Sequence, residues 1–352
     1  MFKKIAYQRL LKPILFCFQP DLVHKVFVKI GHQISRFSAL RWMLRTLYGS
    51  PDQFQCSLTV DGVHYQSPVL LAAGFDYNGH LSKVLWDIGF GGQEVGSVTA
   101  APCTGNPPPN TTRLIQSQSI QVFKGLRNDG AETIIKRLQA NPAPEKFVRG
   151  VSIAKTNSAD CCTEEQGIAD YCQSFRLLNQ AGIGDFYTIN ISCPNAYGGE
   201  DFARESSLRK LTAALAQIPC QKPVYYKMPI NLAWQELQPL IEVIHQSHAQ
   251  GVVIGNLNKD YRALRYPQEL KNNEYRGGLS GAPCRELSNE LIGLTRQHYP
   301  QMTIIGCGGI LSVEDALDKL KLGANLIQLI SGMIFNGPHL INEINQKIKK
   351  IS

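Results

Sequence analysis

The 352-residue sequence lacks several patterns that mark common protein classes. Its ten cysteines form no C-x-x-C pair and show no regular spacing, which favours thiols in a reducing compartment over a disulfide framework. In the first fifty residues the longest uncharged apolar run, residues 14–18, is far too short to cross a bilayer, and the small-residue cleavage site of a secretory signal is missing. No G-x-G-x-x-G follows the first predicted strand.

Most of the chain also has no net charge. Residues 1–50 hold nine basic residues and a single acid, Asp21, so they account for the whole formal net charge of +8. Residues 51–352 therefore carry no net charge, which argues against nucleic-acid binding. The apolar content of 43% and charged content of 18% are ordinary for a globular protein with a large core.

The basic segment, residues 1–50, mixes its Lys and Arg side chains with Phe, Leu and Ile. Pro20 and Asp21 predict a break between two short helices. Basic amphipathic helices lie in a membrane interface, with apolar faces in the acyl region and cations near anionic head groups. We therefore expect this segment to associate with a membrane surface. The alternatives are a helical pair that caps the main domain and a mitochondrial-type presequence.

Residues 51–352 alternate strand, loop and helix. The predicted strands are 69–73, 93–98, 150–155, 186–191, 224–228, 252–256, 303–306 and 326–330. The predicted helices are 79–88, 131–138, 164–180, 206–218, 234–249, 285–298, 313–322 and 340–350. Eight strands, each followed by a helix, predict a single α/β domain with the (β/α)8 TIM-barrel fold. The alternative is a doubly wound open sheet. Segments 56–65 and 114–122 are expected to add pieces at the barrel ends.

The most informative stretch is T-I-N-I-S-C-P-N, residues 188–195. A buried strand leads into it, and Pro194 must end that strand because proline cannot donate to a sheet ladder. The stretch presents the thiol of Cys193 with the carboxamides of Asn190 and Asn195. Carboxamides suit a planar ring with alternating carbonyl and N–H groups, and a thiol beside it can act as an acid or base. The alternative is an ordinary turn with a half-buried cysteine.

Other strand ends suggest a bound anion. Glycines follow strands seven and eight, where bare backbone N–H groups of barrels often bind phosphate, although glycines also simply make tight turns. Lys227 lies in an apolar strand and needs an anionic or electron-rich partner if buried, or else an ion pair with a neighbour such as Asp76. His245 and His248 have no third ligand nearby, so we expect surface residues and no metal site.

Five motifs in this order resemble those of the dihydroorotate dehydrogenase family, over nearly the whole chain. They are L-A-A-G-F-D at 71–76, N-I-S-C-P-N at 190–195, G-G-L-S-G at 277–281, I-I-G-C-G-G-I at 304–310 and S-G-M-I-F-N-G-P at 331–338. The N-terminal helices, with Q-P-D-L-V-H at 19–24, look like the membrane-associated extension of the class 2, quinone-reducing branch.

The resemblance implies an FMN-dependent oxidoreductase that converts dihydroorotate to orotate in pyrimidine biosynthesis. Cys193 stands where the family places its base, which takes the C5 proton while the C6 hydride passes to flavin N5. Quinone would enter between the N-terminal helices and reoxidise FMN. The implied flavin-ring residues are Ala73, Gly74, Ser97, Asn190 and Lys227, the phosphate residues are Gly281, Gly308, Gly309, Ser331 and Gly332, and the substrate-ring residues are Asn190, Asn195 and Asn256.

Several positions depart from the family pattern. Class 2 members usually have Ser as the base, whereas class 1 members have Cys. Three differences lie on the substrate side: Tyr77 replaces the family's Lys in the loop after the first strand, Val122 replaces an Asn, and Leu257 replaces the Thr that follows Asn256. Two differences lie on the flavin side: Ser152 replaces an Asn and Ile330 replaces a Tyr. Losing a Lys and an Asn that meet the orotate carboxylate typically costs about 1.5–3 kcal/mol. Lys124, Arg127 or Arg113 would have to compensate, or the substrate is different.

Three functions therefore stay open on the sequence. The first is a quinone-linked dihydroorotate dehydrogenase, peripheral to a bacterial inner membrane or, in a eukaryote, a mitochondrial membrane. The second is a flavoenzyme that acts on another, less anionic cyclic amide. The third is a non-catalytic flavin-binding membrane scaffold, against which the retention of Asn190, Cys193, Asn195, Lys227 and Asn256 argues.

Overall fold

Eight parallel strands close into a barrel in the computed structural model, which describes residues 2–193, 202–270 and 275–351. The strands are β1 (Leu58–Val60), β2 (Val63–Tyr65), β3 (Val69–Leu71), β4 (Gly92–Val98), β5 (Thr111–Leu114), β6 (Ser119–Val122), β7 (Val148–Ile153), β8 (Phe186–Asn190), β9 (Val224–Met228), β10 (Gly251–Ile254), β11 (Gly278–Gly281), β12 (Thr303–Cys307) and β13 (Leu326–Leu329). Around the barrel the order is β3, β4, β7, β8, β9, β10, β12 and β13, and β13 pairs with β3 to close the ring. The predicted TIM barrel is confirmed, and the predicted strand ends lie within two residues of the observed ones.

Helices surround the barrel and precede it. They are α1 (Phe2–Ala6), α2 (Lys12–Phe16), α3 (Pro20–Ile34), α4 (Ser38–Tyr48), α5 (Ser82–Asp87), α6 (Ala131–Ala140), α7 (Glu164–Gln180), α8 (Glu205–Ala216), α9 (Trp234–His245), α10 (Arg285–His298), α11 (Val313–Lys321), α12 (Ser331–Asn336) and α13 (His339–Lys349), with a π-helical stretch at Tyr7–Leu11. Capping boxes on Thr163 and Ser312 begin α7 and α11, since each side chain accepts a backbone N–H three residues on. The sequence analysis missed α12.

The amino-terminal end of the barrel is closed. The β1–β2 hairpin lies against it, and Tyr65, Phe186 and Tyr225 are fully buried in one cluster there. The phenol of Tyr225 donates to the carboxylate of Asp61 in the hairpin turn at 2.7 Å. The predicted extra segment 56–65 therefore contains a hairpin that closes this end, which leaves the carboxyl ends of the strands as the side on which we look for a ligand site.

A small antiparallel sheet lies at the opposite end, with β6 between β5 and β11. The pairing of β11 with β6 joins residues about 160 positions apart, and the Ser119 hydroxyl donates to the Ser280 carbonyl at 2.7 Å. β11 was not among the predicted strands, because its pairing partner is distant in sequence. The sheet brings β6 to the barrel mouth.

The N-terminal helices dock on the same end. The predicted break is confirmed, since α3 begins at Pro20, but α4 was not foreseen as a separate helix. The Tyr7 phenol donates to the Ile334 carbonyl at 2.6 Å, and the Asp21 carboxylate accepts the Asn110 N–H at 2.9 Å. These contacts hold the helices over the barrel mouth. The division of the chain into residues 1–50 and 51–352 stays a prediction.

Candidate active site

A cavity of about 480 Å³ lies between the N-terminal helices and the carboxyl ends of the barrel strands. The helices contribute mainly apolar side chains to its wall, together with His24 of α3. The barrel contributes predicted site residues from several strand ends; those in the wall are Ala73, Gly74, Ser97, Asn190, Cys193, Lys227, Asn256 and Ser331. The structure thus joins the N-terminal segment and the strand-end residues in one site.

Asn190 is the last residue of β8 and faces inward, since alternate residues of a strand share a face with Phe186 of the barrel interior. Its amide nitrogen donates to the Ser97 hydroxyl at 2.8 Å, and its amide oxygen accepts the Ser192 backbone N–H at 3.2 Å. Ser97 is in turn 2.8 Å from the Ser152 hydroxyl. The Asn190 carboxamide is therefore held in one orientation at the cavity wall.

Cys193 is half-buried and lines the cavity three residues beyond β8. The turn that carries it is tied to the end of β10, because the Asn256 amide nitrogen donates to both the carbonyl and the hydroxyl of Ser192 at 2.8 Å. The Asn256 amide oxygen accepts the Leu257 N–H at 2.9 Å. Ser192 was not predicted as a site residue, although its place between Asn190 and Cys193 was a usable signal.

Lys227 lies on β9 with 5% of its surface exposed, and it lines the cavity. The alternative ion pair with Asp76 is not formed. The Asp76 carboxylate accepts the backbone N–H groups of His80 and Leu81, each at 2.8 Å. Because a buried ammonium needs an anionic or electron-rich partner, the position of Lys227 fits a ligand of that kind.

A second pocket of about 90 Å³ opens beside Lys227. Its wall includes the predicted residues Gly281, Gly308, Gly309 and Ser331. Gly309 has φ +74°, and an added Cβ would lie 2.5 Å from Cα of Arg285, so close packing against the start of α10 requires glycine there. Because these glycines have no side chain, their backbone atoms form part of the pocket wall. Gly332 also packs closely: an added Cβ would lie 2.2 Å from the Ile310 carbonyl oxygen.

Three side chains connect the barrel mouth to α3. His24 Nε2 lies 2.7 Å from the Phe75 carbonyl oxygen, and His24 Nδ1 lies 3.0 Å from the Tyr77 hydroxyl. Lys124, two residues after β6, donates to the same hydroxyl at 3.5 Å, with Nζ 5.0 Å from the centre of the Tyr77 ring. The sequence analysis named Tyr77 and Lys124 separately, and it could not place them in contact.

Burial sets the charges of this group. Desolvation, with a smaller contribution from the positive charge of Lys124, lowers the pKa of His24 to about 3, so the imidazole is neutral. Burial raises the pKa of Tyr77 to about 12. Burial also lowers the pKa of Lys124 to about 8, so this lysine is still mostly charged at neutral pH.

The other departures from the family pattern also lie at the site. Val122, Leu257 and Ile330 line the main cavity. They make this part of the wall apolar. Asn195 lies outside the described residues.

In the part of the chain that the structure describes, no three His, Cys, Asp or Glu side chains are close enough together to hold a metal ion. His245 instead packs against the Tyr299 ring, with the ring centres 5.2 Å apart.

The N-terminal helices carry most of the large apolar side chains that remain exposed. Among the described residues, fourteen of eighteen such side chains lie in or between these helices: Ile5, Leu10, Leu11, Ile14, Phe18, Leu22, Val26, Phe27, Ile30, Phe37, Leu40, Trp42, Met43 and Leu47. They share these helices with the nine basic residues of the segment. Over the described residues, no helix is both long enough and apolar enough to span a bilayer.

The closed eight-stranded barrel, with a ligand cavity at the carboxyl ends of its strands and helices that cover it, defines a (β/α)8-barrel protein of the kind that carries enzymatic sites at this end. A sequence model described as "Dihydroorotate dehydrogenase" matches residues 56–351. The chain belongs to the dihydroorotate dehydrogenase family.

Similar proteins carry the quinone-type name. The chain is 32% identical to "Dihydroorotate dehydrogenase (quinone)" of Thermosynechococcus vestitus, over 96% of this chain and 94% of that protein. It is 31% identical to the protein of the same name from Christiangramia forsetii, over 97% of this chain and 98% of that protein. Among solved structures, DHODH from Eimeria tenella in complex with ferulenol has the same fold, with a TM-score of 0.79, 22% identity and coverage of 94% of this chain and 91% of that chain.

Proposed function

We propose that this protein is an FMN-dependent dihydroorotate dehydrogenase that passes electrons to a quinone. One observation carries the proposal: a single cavity contains Asn190, Cys193 and Lys227 at one end and is walled by the N-terminal helices at the other. A site for a polar ring and a route for an apolar acceptor are thus adjacent. Membership of the family and the quinone-type names of the relatives support the same function.

The residues present fit FMN. Gly74 has φ +106°, and a Cβ added to it would meet nothing within 4 Å, so bare backbone borders open space in the cavity wall. Lys227 offers a buried positive charge to an electron-rich ring, and the smaller pocket beside it has a glycine-rich wall suited to a phosphate. We expect Ala73, Gly74, Ser97, Asn190 and Lys227 to hold the ring, and Gly281, Gly308, Gly309, Ser331 and Gly332 to hold the phosphate.

The chemistry that FMN supplies when bound is acceptance of the substrate's C6 hydride and delivery of electrons to the quinone. The protein's own task is to hold the substrate and to move its C5 proton. In the proposed reaction the Cys193 thiolate takes that proton as the C5–H bond breaks. We expect the carboxamides of Asn190, Asn195 and Asn256 to contact the ring amides, with Asn256 offering its amide oxygen because both of its N–H groups bond Ser192. The Tyr171 phenol, which donates to the Asn190 carbonyl at 2.7 Å, steadies the end of β8.

The acceptor would approach through the helices. Apolar side chains such as Leu11, Leu15, Phe27 and Ile30 line the outer part of the cavity, which suits an apolar quinone. Exposed apolar side chains and cations on the same helices suit a peripheral position on an anionic membrane. Together these features support a quinone taken directly from the bilayer.

A second candidate is oxidation or reduction of a different, less anionic cyclic amide. Val122 and Leu257 favour it, because they present apolar surface to the cavity where family members have polar side chains. In this case the cofactor, Cys193 and the acceptor route stay the same, and only the substrate changes.

Anaerobic titration of the purified, FMN-loaded protein with dihydroorotate tests the proposal. We expect the flavin absorbance near 450 nm to bleach in the wild type, and to stay unchanged in Cys193→Ala although that variant keeps its flavin. Bleaching by dihydrouracil but not by dihydroorotate supports the second candidate. A purified protein that refuses FMN on reconstitution contradicts both, and full activity of Cys193→Ala contradicts the assignment of the base.

A further inference from the structure

The cavity wall is strongly unbalanced in charge. Four cationic side chains line it, Arg113, Lys124, Arg127 and Lys227, and no Asp or Glu side chain among the described residues does. Neighbouring cations raise each other's free energy when water is excluded, and an anion in their midst relieves this. The cavity is therefore built for ligands that bring negative charge.

Lys124 has no carboxylate partner. It forms no ion pair within 4.0 Å with any described residue, and its one hydrogen-bond acceptor is the Tyr77 hydroxyl. Asp21, the acid that acts on it electrostatically, already accepts the backbone N–H groups of Asn110 and Thr111 at 2.9 and 3.2 Å. A partly buried ammonium whose one hydrogen-bond partner is a phenol is incompletely compensated, so an anion on a ligand would complete its pairing.

The hydrogen bonds around Lys124 have only one possible direction. The Phe75 carbonyl can only accept, so His24 Nε2 carries the proton, and Nδ1 of the neutral ring must accept. The Tyr77 hydroxyl therefore donates to His24 Nδ1, and its oxygen accepts from Lys124. One N–H of the ammonium is used, and the other two are left for the cavity that Lys124 lines.

We propose that Lys124 is the specificity-determining cation of the substrate site and pairs with a carboxylate on the ring of the substrate. This proposal rests on the proposed function and deepens it, because it selects a carboxylated cyclic amide over an uncharged one. His24 and Tyr77 are positioning residues: they fix the ammonium and do not themselves meet the substrate.

Binding of matched ligands tests the proposal. Orotate and uracil share a ring and differ in the carboxylate, as do dihydroorotate and dihydrouracil. Calorimetry on the FMN-loaded protein gives their dissociation constants for the wild type, Lys124→Met, Lys124→Arg and Lys136→Met. Lys136 is an exposed residue of α6, so its variant is the control for losing a lysine charge elsewhere.

We expect the wild type and Lys136→Met to prefer the carboxylated member of each pair. Lys124→Met should weaken binding of that member by about 10- to 100-fold, the effect of one charge-assisted hydrogen bond, and leave the uncharged member unchanged. Lys124→Arg should keep most of the preference. A thermal midpoint for Lys124→Met at or above that of the wild type shows that the variant is folded.

Two results overturn the proposal: no preference for the carboxylated member of either pair in the wild type, or an equal effect of Lys124→Met on both members. Failure of the proposed function looks different. If dihydroorotate binds in a Lys124-dependent way but does not bleach the flavin, the proposed reaction is wrong and the assignment of Lys124 stands.

Discussion

Nε of Arg41 lies 2.7 Å from Oδ2 of Asp87, a carboxylate that is fully buried at the end of α5. Arg45, one turn further along α4, lies 3.0 Å from the other carboxylate oxygen. Two arginines of the basic segment thus form ion pairs with the same carboxylate of the barrel domain. The segment is attached by polar contacts on its inner side, and its apolar side chains stay available on the outer side.

Arg41→Leu should lower the free energy of unfolding by about 1.5–3 kcal/mol, the range for a hydrogen bond to a charged group, because Asp87 stays buried with one cation fewer. Arg209→Leu is the control, since its partner Glu205 is half-exposed and the pair is expected to contribute less than about 1 kcal/mol. Denaturant titration of both variants gives the comparison. Equal losses would show that the Arg41 pair does not anchor the helices.

Gly74→Ala should reduce FMN affinity at least tenfold, because the added methyl would project into the cavity from a residue with φ +106°. Gly62→Ala makes the same change at φ +80° in the β1–β2 turn, with nothing within 4 Å, and should cost about 1 kcal/mol of stability without loss of cofactor. Flavin content and fluorescence titration measure the effect. Loss of FMN from both variants would indicate that strain alone explains the result.

If the Cys193 thiolate takes the C5 proton as proposed, the rate of flavin reduction by the substrate should rise with pH as the thiol ionises. The thiolate is the basic form of a cysteine side chain, so the rate should follow the fraction of protein that is ionised there. Cys193→Ser should be slower and lose this rise. Anaerobic stopped-flow reduction from about pH 6 to pH 10 provides the profile, and a flat wild-type profile would count against the thiolate.

Orotate affinity should fall as the pH rises through the ionisation of Lys124, whose pKa burial lowers to about 8. The sign follows from the charge: the ammonium pairs with the carboxylate below that pH and is lost above it. His24 stays neutral and Tyr77 stays protonated in this range. Lys124→Arg, which remains cationic, should flatten the profile, and calorimetry at several pH values measures it. A wild-type profile as flat as that of Lys124→Arg would contradict the assignment.

Leu10→Asp should weaken binding to anionic phospholipid vesicles, because Leu10 is 67% exposed on the basic segment. Leu322→Asp places the same charge on a 37% exposed leucine of the barrel and should leave binding unchanged. Vesicle co-sedimentation at low and high salt measures both variants, and the wild type should bind less at high salt. Equal binding by all three proteins would show that Leu10 is not part of the membrane contact.

Many helices and strands could be predicted because they are defined by sequence patterns within each element. β9 at Val224–Met228, α7 at Glu164–Gln180 and α10 at Arg285–His298 have the predicted bounds, since apolar periodicity and flanking caps define them. β11 was missed because its glycines have low strand propensity and its partner is remote in sequence. α12 was missed because a six-residue helix that contains Gly332 has little periodicity to detect.

The positions of several candidate residues in the cavity wall could be predicted one by one, but their contacts with one another could not. Asn190, Cys193 and Lys227 were placed at the mouth because parallel strands end together there. The contact of Lys124 with Tyr77, and of Tyr77 with His24, joins three separate segments of the chain, so local sequence patterns carry no trace of it. The hydrogen bonds from Asn256 to Ser192 could not be predicted either, because the two residues are far apart in sequence.

The hairpin that closes the amino-terminal end of the barrel has a consequence for how ligands reach the cavity. Tyr65, Phe186 and Tyr225 fill the amino-terminal end of the barrel, and among the described residues the cavity is bordered on its other side by the N-terminal helices. In the proposed reaction these helices would govern how quickly a quinone reaches the flavin, so the lipid bound to them would influence turnover.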